Sequence, residues 1–194
     1  MQFHTKGAYN KFIEECTNII RDRREVDFNS VIPMPGELLQ CESGANSLRE
    51  YVLRPGEVNE VAEFKNKLQT LGEKEALLWA SKQYRNYPNK VFGCYNIAKY
   101  GFKDWYDWAR WNWATKWNAC DSFFDDSSKV VQFSTANNFP LPVMEAFAKK
   151  YCFTCETYDE DYNSTEVWEA VDGELNFSHD YQDPELMPQE EEVQ

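Results

Sequence analysis

Lys129–Tyr158 reads KVVQFSTANNFPLPVMEAFAKKYCFTCETY. Lys129–Ser134 (KVVQFS) reads as a strand. Leu141–Tyr151 reads as a helix: Pro142 sits near its first position, and Val143, Met144, Phe147 and Ala148 recur on one side. Cys152–Tyr158, with Phe153, Thr154 and Thr157, reads as a second strand. A strand, a helix and a strand therefore follow one another within thirty residues.

Working outward, the pattern from Thr115 onward is extended and supplies a strand just before this unit. At the N-terminus, Gln2–Lys6 reads as a short strand. Tyr9, Phe12, Ile13, Cys16, Ile19 and Ile20 then recur at helical spacing, which predicts a helix from about Gly7 to Arg24 closed by Arg21, Arg23 and Arg24. Between these parts, Asp27–Leu39 is extended because Pro33 and Pro35 exclude a regular helix. Residues 40–56 read as a loop. Glu57–Leu71 is an amphipathic helix capped by Gly72, followed by helices over Glu73–Asn86 and Val91–Tyr100. Past Tyr158, Glu166–Val171 and Leu175–Phe177 read as a hairpin around Asp172-Gly173, and a solvated tail begins at His179.

The order strand, helix, insertion, strand, strand, helix, strand is the split βαβ or ferredoxin-like pattern. It predicts an α+β protein with helices on one face of an antiparallel sheet. The expected organisation is one domain over 1–178, with a helical insertion at about 40–113 and an acidic tail at 179–194. An apolar fraction of 42% with seven Trp is ample for a packed core. No apolar run approaches ~18 residues, so no membrane-spanning helix is expected. Met1–Ala8 lacks the charged-then-apolar pattern of an export signal, which predicts reduced thiols for the six cysteines.

Charge is distributed unevenly. The first 150 residues hold 20 basic and 19 acidic side chains, whereas residues 151–194 hold 14 Asp and Glu and no Lys or Arg. Such separation creates a one-sided negative field that attracts basic partners and repels nucleic acid and anionic membrane. Tyr158, Tyr162, Val167, Trp168, Val171, Leu175, Phe177 and Tyr181 are interleaved with the carboxylates. Aromatics supply contact area and carboxylates select charge. Glu156, Asp159, Glu160, Asp161, Glu166 and Glu169 are thus the candidate partner-binding acids, with Tyr162 and Trp168 as anchors.

The block Asp104–Asp121, DWYDWARWNWATKWNACD, is the second candidate. Its Trp105, Trp108 and Trp117, with Lys116 nearby, offer an aromatic wall for a small molecule or nucleotide, against the alternative of core packing. Asp121, Asp125 and Asp126 lack the spacing of a calcium loop and read as a turn. Cys152 and Cys155 form a C-x-x-C, but residues three apart on a strand point to opposite faces, which is poor geometry for one metal ion. No cofactor or metal site is expected. The chain has no G-x-S-x-G, P-loop or G-x-G-x-x-G, so no catalytic class or catalytic residue is assigned.

Three blocks resemble the YubB-type ferredoxin-like proteins of phages and plasmids. They are Phe28-Asn29-Ser30-Val31-Ile32-Pro33-Met34-Pro35; Tyr100–Trp108 with Asn112–Ala119; and Phe133–Phe147. The resemblance covers roughly residues 1–158. It implies a mobile-element origin and a ferredoxin-like core, and no assigned chemistry; with no export signal or membrane span expected, the place of action expected is the host cytoplasm. Two positions depart from the family pattern. Ala114 stands where Gly is usual, so a positive-φ turn is not expected there, and Asn137 replaces a Trp. Joined to the acidic C-terminus, these features predict a phage or plasmid accessory protein. It would bind and block a host defence or nucleic-acid-handling protein through a nucleic-acid-mimicking surface.

Overall fold

The computed structural model describes residues 1–20, 22–40, 55–83, 88–158 and 165–181. The chain forms two compact units, one from residues 1–33 and 113–194, the other from residues 34–112.

The first unit is α+β and built on a six-stranded antiparallel sheet. Its elements are β1 (Gln2–Phe3), α1 (Lys6–Cys16), β2 (Thr17–Ile20), β3 (Arg23–Val26), β4 (Cys120–Asp125), β5 (Val130–Ser134), a helix over Leu141–Ala148, β6 (Phe153–Tyr158), β7 (Thr165–Val171) and β8 (Glu174–Tyr181). The sheet order is β4-β5-β1-β6-β7-β8, and every neighbouring pair is antiparallel. β1 is only two residues long but lies in the middle. It is held by Val131 N–H to Met1 O at 2.9 Å, Phe3 N–H to Lys129 O at 3.0 Å and the Met1 ammonium to Val131 O at 2.8 Å.

Helix α1 starts where Thr5 caps the Ala8 amide at 3.1 Å, and its apolar side carries Tyr9, Phe12 and Cys16. Phe12 sits among Phe3, Phe147 and Tyr151 with ring centroids 5.0–5.5 Å away. α1 and the Leu141–Ala148 helix therefore cover the sheet face that bears Phe3 and Phe153. Full burial of each such Phe contributes about 1.5–3 kcal/mol, so this cluster dominates the unit's core.

The N-terminal helix is shorter than its periodicity predicts. It stops at Cys16, and Thr17–Ile20 pairs with Arg23–Val26 as a hairpin. The reason is local: Thr17, Ile19 and Ile20 are β-branched, and Asp22 adopts φ 65° in the turn. Arg23 and Arg24 belong to β3 and close no helix. The Asp27–Leu39 segment is not wholly extended either, because Asp27 caps a short 3-10 turn at Phe28–Ser30 and a second spans Gly36–Gln40. Ala114 takes φ 62°, so the positive-φ turn does form with a β-carbon present. The Thr115 hydroxyl bonds to Trp117 O at 2.7 Å and the Asn138 amide to Ala114 O at 3.2 Å, closing the turn from both sides. The last hairpin also continues past Phe177: His179 faces Val167 and Tyr181 faces Thr165, so His179 opens no tail.

The second unit is helical: α2 (Pro55–Leu71), α3 (Glu73–Gln83), α4 (Pro88–Tyr100) and α5 (Trp105–Asn112), which makes Leu141–Ala148 α6. Pro55 starts α2 instead of ending a loop, consistent with its preset φ. Gly72, at φ 79°, separates α2 from α3. Val61, Phe64, Ala76, Ala80, Cys94 and Tyr95 form the core, with Trp79 edge-on to Phe64 at 6.0 Å. Lys99 donates to Tyr95 Oη at 2.7 Å, Glu73 Oε1 at 3.1 Å and Glu37 Oε1 at 3.2 Å, tying α4 to the start of α3 and to the Gly36–Gln40 turn. The expected 40–56 loop falls largely outside the described residues, as does the end of the Glu73–Asn86 helix. Among the described residues, no helix is long and apolar enough to cross a membrane.

Candidate interaction surface

The acidic candidates sit on β6, β7 and the segment joining them. Phe153 faces Ala170, Thr154 faces Glu169, Cys155 faces Trp168, Glu156 faces Val167, and Thr157 faces Glu166. Facing residues share a sheet face and successive residues alternate. Phe153 belongs to the helix-covered face, so Cys155, Trp168 and Glu166 belong there too. Glu156 and Glu169 lie on the opposite face, where both are exposed. The sequence candidates are thus split between the two sides of the sheet. Asp159, Glu160, Asp161 and Tyr162 lie outside the described residues.

A third acid joins Glu156 and Glu169. Asp172 and Gly173 adopt φ 54° and 87°, positive at both central positions as a type I′ turn requires. That tight turn sets Val171 opposite Glu174 and Glu169 opposite Asn176. Glu174 therefore shares the face of Glu169. Glu156, Glu169 and Glu174 form an oblique row across β6, β7 and β8, each member diagonal to the next, at intervals of roughly 7–8 Å. Among the described residues none of the three is ion-paired with Lys or Arg. Sequence reading passed over Glu174, although the Asp-Gly turn carried the signal: two turn residues fix the register and hence the face.

Tyr158 is 56% exposed and donates its hydroxyl to Glu156 Oε2 at 2.8 Å, orienting that carboxylate. The buried Met1 ammonium lies near Glu156 and Cys155. Burial lowers its pKa, and the acidic neighbours partly oppose that shift.

On the other face, Trp168 stacks on Phe139 at 5.2 Å and 24° and meets Phe177 edge-on at 5.4 Å. Its indole N–H donates to Glu166 Oε2 at 3.1 Å. Glu166 and Trp168 brace the hairpin against the residues leading into α6.

The tryptophan block divides. Trp105 and Trp108 lie in the helical unit, whereas Lys116 and Trp117 lie in the sheet unit. Trp108 is buried, Trp105 meets Tyr106 edge-on at 5.8 Å, and the Lys116 ammonium stands 5.9 Å from the Trp117 ring centroid. Trp113 is buried against Phe28 at 5.7 Å and donates its indole N–H to Ile32 O at 2.9 Å.

The remaining clusters have local work. Asp125 accepts from the Ser127 and Ser128 hydroxyls, each at 2.6 Å, and these bonds hold its carboxyl well below the usual range. Asp126 pairs with Lys6 at 3.6 Å, and Asp121 occupies an irregularity in β4 at φ 52°. Cys152 is exposed and Cys155 buried, consistent with opposite sides of the strand, and burial pushes the Cys155 thiol up. Among the described residues, no three His, Cys, Asp or Glu side chains are grouped to hold a metal ion.

Comparison of the chain with known protein families, with curated proteins and with solved structures finds no match.

Proposed function

We propose that this chain is an interaction protein that binds a basic surface of a partner protein through the carboxylates of its C-terminal strands. The observation that carries the reading is the exposed row Glu156, Glu169, Glu174, set in a segment of 14 acids without a Lys or Arg. The sheet fixes the backbone positions that carry these carboxylates, so no backbone ordering is needed on binding, and Tyr158 already orients the Glu156 carboxylate. Spaced carboxylates imitate a row of phosphates, and the partner class that fits is a nucleic-acid-handling protein whose own site they occupy.

The fold reading belongs to the same proposal. With β2 and β3 set aside as an added hairpin, β1, α1, β4, β5, α6 and β6 follow the split βαβ order of ferredoxin-like proteins, and β7–β8 extend the sheet on the acidic side. With the resemblance to YubB-type proteins, this supports a phage or plasmid accessory protein acting on a host defence or nucleic-acid-handling factor.

The test is a pull-down from host lysate with the full chain and with its E156Q/E169Q/E174Q variant, at low and high salt. The expected result is a basic nucleic-acid-binding protein retained by the native chain at low salt, released at high salt and displaced by added nucleic acid. Equal retention by the variant contradicts the reading.

A further inference from the structure

The two edges of the six-stranded sheet differ. At β4, the Val26 amide donates to Ser122 Oγ at 3.0 Å and Glu25 Oε2 accepts from the Ser122 amide at 2.8 Å, so β3 occupies that edge. At the other edge, β8 pairs with β7 alone among the described residues. Glu174, Asn176, Phe177 and Ser178 are exposed, Phe177 by 51%.

The register says which backbone groups this edge offers. A two-residue turn makes Val171 and Glu174 a hydrogen-bonded pair, and hydrogen-bonded and non-hydrogen-bonded pairs then alternate. Glu169 and Asn176 are bonded, whereas Ala170–Leu175 and Trp168–Phe177 are not. The amides and carbonyls of Leu175 and Phe177 therefore point away from β7, toward the open edge. The extra residue near Ser178, where the register shifts, limits the straight part of this edge to its first half.

Resting on the acidic-surface reading above, we infer that β8 takes an extended segment of the partner as an added strand, and that this segment alternates apolar and basic residues. The alternation follows from the two faces. Side chains of an added strand on the helix-covered side meet Phe177 and Leu175. Those on the other side meet Glu174 and Asn176, beside Glu169. Backbone bonds at the edge supply affinity and alternate side chains supply selection. The same carboxylates disfavour self-pairing, because a second copy of β8 brings acids against acids.

The experiment titrates the full chain with a fluorescent peptide of alternating Lys and Val, and with two versions N-methylated on alternate backbone nitrogens. The expected result is binding that one methylation pattern weakens by at least about tenfold and the other leaves intact, since only one set of amides faces β8. The variant Leu175→Pro removes an outward N–H without touching the β7 ladder. It should lose the peptide to the same degree while its circular dichroism stays native. Salt-sensitive binding indifferent to both methylation patterns and to Leu175→Pro overturns the added strand and leaves the acidic surface standing. The added strand is likewise overturned if the peptide fails to bind while a folded lysine-rich protein does. Failure of both probes contradicts the acidic-surface reading itself.

Discussion

Glu156 on β6 and Glu169 on β7 stand on the same face of the sheet, diagonal to each other across a ladder that runs unbroken from Phe153↔Ala170 to Tyr158↔Thr165. Glu166, three residues before Glu169, is on the other side and accepts the Trp168 indole N–H. Neighbouring acids in the sequence therefore lie on opposite faces of the sheet, and this separation is open to test.

Trp168→Ala removes the stack on Phe139 and the edge contact with Phe177. Because Trp168 is half-buried, the expected loss is about 2–3 kcal/mol, below that of a fully buried Trp. Glu166→Gln keeps an acceptor for the indole and should leave stability within about 0.5 kcal/mol of native. Denaturant titration measures both, and equal effects would contradict the bracing role.

Ala114 holds φ 62° with a β-carbon, a conformation that costs about 1–2 kcal/mol relative to the right-handed region. Ala114→Gly relieves that strain, and the greater freedom of the unfolded chain offsets it by about 0.4–1 kcal/mol. The expected outcome is unchanged or slightly raised stability, whereas Ala114→Val should be destabilising. A clear loss of melting temperature on Ala114→Gly would contradict the turn geometry.

Tyr9 and Tyr95 should resist ionisation. Burial first, then the Asp126 carboxylate beside Tyr9 and the Glu73 bond at Tyr95, push both hydroxyls up to about 12. The unfolded value is about 10, so their contribution to stability is fully present below pH 10 and is lost as pH rises through 12. Ultraviolet titration of the phenolates should show late ionisation that coincides with unfolding, and less of it in Tyr9→Phe. Ordinary ionisation near pH 10 in the folded protein would contradict the burial of these rings.

Cysteine labelling separates the strand faces. Cys152 is exposed, whereas Cys16 and Cys155 are buried with thiols raised by burial. Iodoacetamide followed by peptide mass mapping should modify Cys152 in the folded protein, and Cys16 and Cys155 after denaturation. Modification of Cys155 as fast as Cys152 would contradict the pairing of β6.

Periodicity revealed the strand–helix–strand unit at 129–158 because its apolar residues alternate or recur cleanly and its proline sits at a helix start. The hairpin at Thr17–Val26 was hidden because Ile19 and Ile20 continue the helical spacing of α1. At that point β-branching and the Asp22 turn outweigh periodicity. The charge separation of the candidate surface was legible residue by residue. Its division into two faces was not, because facing depends on register, and register depends on the turn at Asp172-Gly173 and on the pairing of β6 with β7. Glu174 was missed for the same reason. The tryptophans read as one block because they are close in sequence, yet the chain passes between units at Asn112 and Trp113, so the buried Trp108 and Trp113 belong to different cores, while Trp111 and Trp117 are exposed.

Binding through the exposed acidic row is tested by the affinity of the full chain for a lysine-rich protein as a function of salt, for the native sequence, for E156Q/E169Q/E174Q and for E166Q. Salt-sensitive binding is expected, lost by at least about tenfold in the triple variant and largely kept in E166Q, because exposed charges on one face act together and are screened together. Equal affinity for the native chain and the triple variant, or binding indifferent to salt, would contradict it.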